Sequence, residues 1–200
     1  MPVENGTGAV GLREQTLDAA ARLLAAAGPD ALTVRRIAAE AGCSTRAIYH
    51  YFDGKYGVVD ALYREGFARL NAALEAVPQT SDPLADLRGL SQAYRAVALA
   101  HPAYYEVMFR RPVRGFRPSA AGKALAASTY QLFIQAVQRG LAHGTVDAGG
   151  LDAAEYAHVL WATAHGIIML QLDELLPGGE LGERRYELAL ALALLGRAKA

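Results

Sequence analysis

Two hundred residues, 52% of them hydrophobic, are enough for one compact core or for a small module joined to a larger one, and too apolar for a wholly disordered chain. Twenty basic side chains balance twenty acidic ones, which excludes a polycationic nucleic-acid coat and an acidic solvating protein, so any grip on DNA has to come from a local patch. The single cysteine, Cys43, has no partner for an internal disulfide, and no zinc-ligand spacing or signal-peptide pattern occurs, so a cytoplasmic location is expected.

The opening string MPVENGTGAVG reads as a flexible arm over residues 1–11. Its Gly6, Gly8 and Gly11 match the GxGxxG spacing of a dinucleotide site, with Asp30 at a suitable distance, but no strand precedes them and no βαβ unit follows. Strand signals are nearly absent throughout, while Ala, Leu, Arg and Glu recur at helical spacing, so the class is all-α. Glycines and prolines punctuate the chain into about nine helices, over 12–27, 34–41, 45–51, 54–76, 84–100, 102–110, 119–143, 152–176 and 180–197. Thr33, Ser44, Asp53, Asp82 and Asp152 are placed to cap helix starts, the last with Glu155 as a capping box. The most apolar stretches, Leu160–Leu172 and Leu188–Leu195, are too short to span a bilayer, which needs roughly 20 residues, and no membrane partner is expected.

The segment TVRRIAAEAGCSTRAIYHYFDGK, Thr33 to Lys55, carries the first functional signal. Val34, Ile37, Ala38 and Ala41 share one face of a two-turn helix, Gly42 ends it, and Ser44 can start a second short helix. In that helix Ile48 and Phe52, four apart, face inward and leave Thr45, Arg46, Tyr49 and His50 on the other side. Two short helices joined by a glycine turn make a helix-turn-helix, and hydrogen-bond donors, a cation and an aromatic on the outer face of its second member suit base edges and phosphates. The segment is only mildly basic, four Lys/Arg against Glu40 and Asp53; a larger cluster, Arg110, Arg111, Arg114 and Arg117, lies well away from it in the chain.

Residues 12–62 resemble the N-terminal domain of the TetR (tetracycline-repressor-like) family, through Gly28, Leu32-Thr33-Val34, Ile37-Ala38, Ala41-Gly42, Ser44, and Ile48-Tyr49-His50-Tyr51-Phe52 followed by Lys55. The resemblance implies phosphate contacts from Thr33, Tyr49, Tyr51 and Lys55, and base contacts from Arg35, Thr45, Arg46 and His50. It also implies a three-helix DNA-binding domain (12–53), a connecting helix (54–76) and a ligand-sensing and dimerisation domain (77–200), working as a homodimeric regulator, by default a repressor, of double-stranded DNA. Tyr56-Gly57-Val58 departs from the family's usual acidic residue and leucine, and Gly57 is expected to loosen the fourth helix by about 1 kcal/mol relative to alanine.

For the sensor half, local chemistry carries the expectation. Tyr94, Tyr104, Tyr105, Met108, Phe109, Tyr130, Phe133, Trp161 and Met169 supply aromatic and sulfur-bearing surface, and His165 follows Trp161 in a Trp-x3-His-Gly pattern that resembles one group of TetR sensor domains. A small apolar effector is expected among Tyr94, Tyr105, Met108, Phe109, Phe133, Trp161, His165 and Met169, between the 102–110, 119–143 and 152–176 helices. The last helix is apolar nearly all round, so Leu188, Leu192 and Leu195 are expected to form a dimer seam with the 152–176 helix.

No enzyme is expected: GxSxG, HExxH and Walker patterns are absent, and Gly122-Lys123 lacks the flanking residues of a phosphate loop. The alternative from another class is a helical-bundle metal-binding enzyme, on the Glu155-x-x-His158 spacing of di-iron carboxylate bundles. Such a site needs a second Glu-x-x-His and two further glutamates; none is found, so neither metal nor other cofactor is expected.

Overall fold

The computed structural model describes residues 6–194, and among these the chain forms nine α-helices and no strand. In order they are α1 (Gly6–Ala27), α2 (Val34–Glu40), α3 (Thr45–Phe52), α4 (Lys55–Glu75), α5 (Pro83–Ala100), α6 (Pro102–Phe109), α7 (Ala120–Ala142), α8 (Ala153–Leu172) and α9 (Gly179–Leu194), with a short 3-10 turn at Pro29–Ala31. None of them is long and apolar enough to cross a membrane.

The caps explain most of the helix starts. Thr33 Oγ1 accepts the Arg36 N–H at 3.3 Å and Ser44 Oγ accepts that of Ala47 at 3.1 Å, each relieving an orphan donor of a first turn. Asp82 Oδ1 does the same for Leu84 and Ala85, and Asp152 and Glu155 form the full capping box of α8.

Two expectations are corrected. Asp53 does not open α4; it closes α3 in the left-handed region (φ 56°), which a short polar side chain tolerates, and the Gly54 carbonyl accepts the first α4 bond, from Val58. Part of the expected arm is helical too: α1 starts at Gly6. Extending an existing helix adds one hydrogen bond per residue, so a glycine's penalty of about 1 kcal/mol need not stop it.

The chain forms two compact units. The first runs from α1 to Ala68 in α4 and takes in His101–Leu125, which is α6, the following loop and the start of α7. The boundary therefore differs from the expected one at residue 77, because α6 joins the N-terminal elements. Inside this unit α6 packs on α1, Phe67 of α4 meets Phe109 (ring centroids 5.7 Å apart), and a β-carbon on Gly66 would sit 2.5 Å from Met108 Sδ. The small residue admits the bulky one.

The second unit comprises Arg69–Ala100 and the chain from Ala126 onward. Three tyrosine hydroxyls stitch its helices by donating to backbone carbonyls: Tyr130 to Ala154 (2.7 Å), Tyr156 to Ala193 (2.8 Å) and Tyr186 to Ser91 (2.7 Å). Burial, then the neighbouring Tyr94, push the Tyr186 phenol far above its usual range, so it serves as a neutral donor. Asp86, 3% exposed, accepts from the Thr80 N–H (3.0 Å) and hydroxyl (2.8 Å) and pairs with Arg139 (3.2 Å), which joins the 76–82 connection and α5 to α7.

Candidate functional site

The helix-turn-helix is assembled by burial on one side and exposure on the other. Ile37, Ala38, Ile48 and Phe52 are buried, and each large member is worth roughly 1.5–3 kcal/mol of removed apolar surface. Between the helices Gly42 takes φ 64°, and the N–H groups of Gly42 and Cys43 return to the carbonyls of Ala39 (3.3 Å) and Ala38 (2.9 Å). This 5→2 and 6→1 pair closes α2 and turns the chain. Cys43 is half-buried in that turn, and burial raises its thiol pKa, which leaves less of the reactive thiolate.

On the outer side Thr45, Arg46, Tyr49, His50 and Tyr51 of α3 are all exposed, Tyr49 at 60% and Tyr51 at 48%, as are Thr33 and Arg35; Lys55 is half-buried. His50 and Tyr51 stand edge to face at 4.7 Å. These eight residues therefore lie in one module, with the α3 face presenting donors, a cation and aromatic rings on a rigid, doubly anchored helix. Large exposed tyrosines cost hydration unless something covers them.

Gly57 has a role that helix propensity alone did not disclose. A β-carbon there would fall on the carbonyl oxygen of Phe52, the last residue of α3, so the glycine lets the first turn of α4 close against the recognition helix. The expected loosening is the smaller of the two effects. Tyr56, its neighbour, donates its hydroxyl to the Arg114 carbonyl at 3.3 Å.

The aromatic residues expected to bind an effector fall into both units. Tyr105 and Met108 are buried in the first, where Tyr105 packs on Phe109 at 4.7 Å beside Phe67, and this gives the three a packing role. In the second unit Tyr94, Phe133, Trp161 and His165 come together. Trp161 Nε1–H donates to the Tyr94 hydroxyl oxygen at 3.1 Å, that hydroxyl lies 3.5 Å from His165 Nδ1, and the Trp161 and His165 rings stack at 5.2 Å. Phe133 meets Tyr94 edge to face at 6.0 Å, and Met169 follows one helical turn after His165, half-buried. The polar ends of three rings thus converge on a hydroxyl whose residue is only 2% exposed.

Two clefts of this unit were not foreseen. One, of about 290 Å³, is lined by Arg88, Gln92, Glu187, Leu190 and Ala191 of α5 and α9; the other, of about 400 Å³, lies between Leu151, Tyr156, Val159, Leu192 and Ala193 and the 147–149 turn. Their walls come from helices distant in sequence, a juxtaposition that periodicity cannot announce.

Leu188 and Leu192 are 59% and 63% exposed on α9, opposite the buried Tyr186, Leu190 and Leu194. On α8, which packs on α9, Val159, Ala162, Gly166 and Leu170 form a second exposed stripe of apolar and small residues. Leu195 lies outside the described residues. Glu155 is used in the α8 cap, and His158 sits by the Ala154 carbonyl (3.2 Å) and the Tyr130 ring (4.4 Å). Among the described residues no three His, Cys, Asp or Glu gather to hold a metal ion.

Residues 17–62 match the bacterial regulatory proteins of the tetR family, and residues 87–193 match the tetracyclin repressor-like C-terminal domain. The chain is 37% identical over 105 residues to the HTH-type transcriptional repressor KstR2 of Rhodococcus jostii (strain RHA1). That match covers 51% of each protein, so the chain spans about half the length of this relative. Among solved structures, a protein of unknown function from Rhodococcus sp. RHA1 aligns over 100% of both chains, with 30% identity and a TM-score of 0.79. The TetR family regulator PfmR from Thermus thermophilus shares the fold, with a TM-score of 0.75 at 21% identity over 92% of this chain and 99% of its own.

Proposed function

Because the chain belongs to the TetR family of bacterial regulatory proteins, we propose that it is a repressor that binds a palindromic double-stranded operator as a homodimer and leaves it when a small, weakly polar effector binds. The observation that carries the reading is the exposed face of α3, with Thr45, Arg46, Tyr49 and His50 held outward by the buried Ile48 and Phe52. Thr45, Arg46 and His50, with Arg35 of α2, read base edges in the major groove; Thr33, Tyr49, Tyr51 and Lys55 hold phosphates. The chemistry is binding, not catalysis, and its setting is the cytoplasm.

The effector site is the Tyr94, Phe133, Trp161, His165 and Met169 cluster, where ring faces supply apolar surface and Tyr94 and His165 supply hydrogen-bonding tips. Coupling runs along α4, which begins at the DNA module with Lys55 and continues without a break from one unit into the other. If the effector favours one tilt of that helix, the two recognition helices of the dimer leave their spacing of about 34 Å, and DNA affinity falls by the effector's preference between the two states.

Gel shift with the chain's own upstream region tests the reading. A saturable, salt-sensitive complex is expected; Arg46→Ala changes the preferred bases, whereas Lys55→Ala weakens every site alike and lowers the salt slope by about 1. No complex in any condition rejects it.

A further inference from the structure

The four arginines of the loop between α6 and α7 are far from the helix-turn-helix in sequence, yet they belong to the same compact unit. The loop, Arg110 to Arg117, carries no acidic residue and adds its four cations to a module that has four cations and two carboxylates. It also runs along the DNA end of α4. Ser119 N–H donates to Asp60 Oδ1 at 2.8 Å, the Phe116 ring lies 6.0 Å from that of Tyr63, and the Arg114 carbonyl accepts from Tyr56. Down α4 through Tyr63, Asp60 and Tyr56, Arg114 is the lowest rung, beside the residue that follows Lys55.

Two apolar anchors hold the loop in that place. Val113 is 3% exposed and Phe116 2%, whereas Arg114 and Arg117 are exposed, so the backbone is pinned while the cations face water. Arg111 takes part in the fold through a hydrogen bond with the Tyr63 hydroxyl. We propose that this loop is a second DNA-backbone contact, in which Arg114 and Arg117 grip phosphates beyond those held by Lys55 and the helix-turn-helix. It answers the weak charge of the recognition module itself. The partner is duplex DNA, because the arginines stand on an open surface continuous with Lys55 at the start of α4, and guanidinium groups on such a surface match a periodic row of phosphates.

The proposal rests on the DNA-binding reading, and the experiment separates the two. The probe is a duplex that the wild-type protein enriches from a random-sequence library; wild type and the R114Q/R117Q double variant are titrated onto it at about 50 to 200 mM salt. Each lost phosphate contact lowers the slope of log K against log[salt] by about 0.9, so the double variant's slope should be shallower by about 2 with one arginine engaged per protomer and about 4 with both. The wild-type advantage then shrinks about 15-fold or more across that range, with the base preference unchanged. R114K/R117K keeps the charge and should recover most of the slope; R88Q, on α5 of the other unit, should leave it unaltered.

A folded double variant whose slope stays within about 1 of wild type overturns the loop contact and leaves DNA binding standing. A wild-type protein that enriches no sequence overturns both. If the glutamine variant does not fold, phosphate ethylation interference on the wild-type complex decides: interfering phosphates beyond those lost in Lys55→Gln support the contact, and their absence rejects it.

Discussion

Gly57 shows how two effects of opposite sign compete at a single residue. Alanine is the better helix former by about 1 kcal/mol, which by itself would stabilise α4. A β-carbon there would instead overlap the Phe52 carbonyl, and crowding of that kind costs typically about 1–3 kcal/mol. Gly57→Ala is therefore expected to lower the melting temperature and to weaken DNA binding by shifting α3; a more stable variant would show that the junction relaxes freely. Trp161 is the chain's only tryptophan, and its Nε1–H is held by Tyr94, so its emission reports on the proposed effector cluster. Screening weakly polar compounds should find one that shifts this fluorescence and releases DNA. Trp161→Ala should then bind that compound more weakly and keep its ligand-free DNA affinity. A variant that unfolds would make Trp161 a packing residue, and one that binds the compound equally well would move the site elsewhere.

Within and between helices, stability is concentrated in a few polar locks. Burial pushes the Asp86 carboxyl pKa up, but the Thr80 hydroxyl and N–H and the Arg139 guanidinium together outweigh it and hold the pKa below the usual value. A carboxylate with a depressed folded pKa stabilises the protein fully above its unfolded pKa of about 3.9, and loses that contribution as the pH falls through the folded value. Asp86→Ala should cost about 2 kcal/mol near neutral pH, the scale of a buried charge-assisted hydrogen-bond set, and its deficit should shrink in acid. Urea melts at pH 7 and pH 3 check this; a deficit independent of pH would mean that the loss is one of packing. Asp152→Ala, which removes the capping box of α8, should cost about 1 kcal/mol at neutral pH by the same measurement.

For the whole molecule, the unpartnered leucines of α9 carry the prediction. Leu188 and Leu192 line up with the exposed Val159, Ala162, Gly166 and Leu170 of the adjoining α8, a surface suited to the same two helices of a second copy. Leu192→Glu places a charge in that seam and should give a monomer by sedimentation, or insoluble protein, with loss of binding to a palindromic site. A soluble variant that still sediments as a dimer would assign the interface elsewhere.

Periodicity and turn chemistry made the all-α class, the order of the nine helices and four of the five proposed caps legible from residues alone, because each depends on neighbours within a few positions. Ser44, Gly42 and the Ile48–Phe52 spacing place a helix-turn-helix before any distance is measured. The Asp53 cap and the arm through Gly11 failed for the same local reason: a left-handed aspartate and a glycine-containing first turn are small energetic choices that the next helix can tip. Only the tertiary structure could decide that α6 joins the DNA-binding unit, that Gly57 makes room for a carbonyl, that Trp161 and His165 converge on Tyr94, and that the arginine loop lies against the start of α4. Apart from Gly57, these rest on contacts between residues some forty to seventy positions apart. They depend on which side chains fill the same volume, and one-dimensional spacing does not encode that.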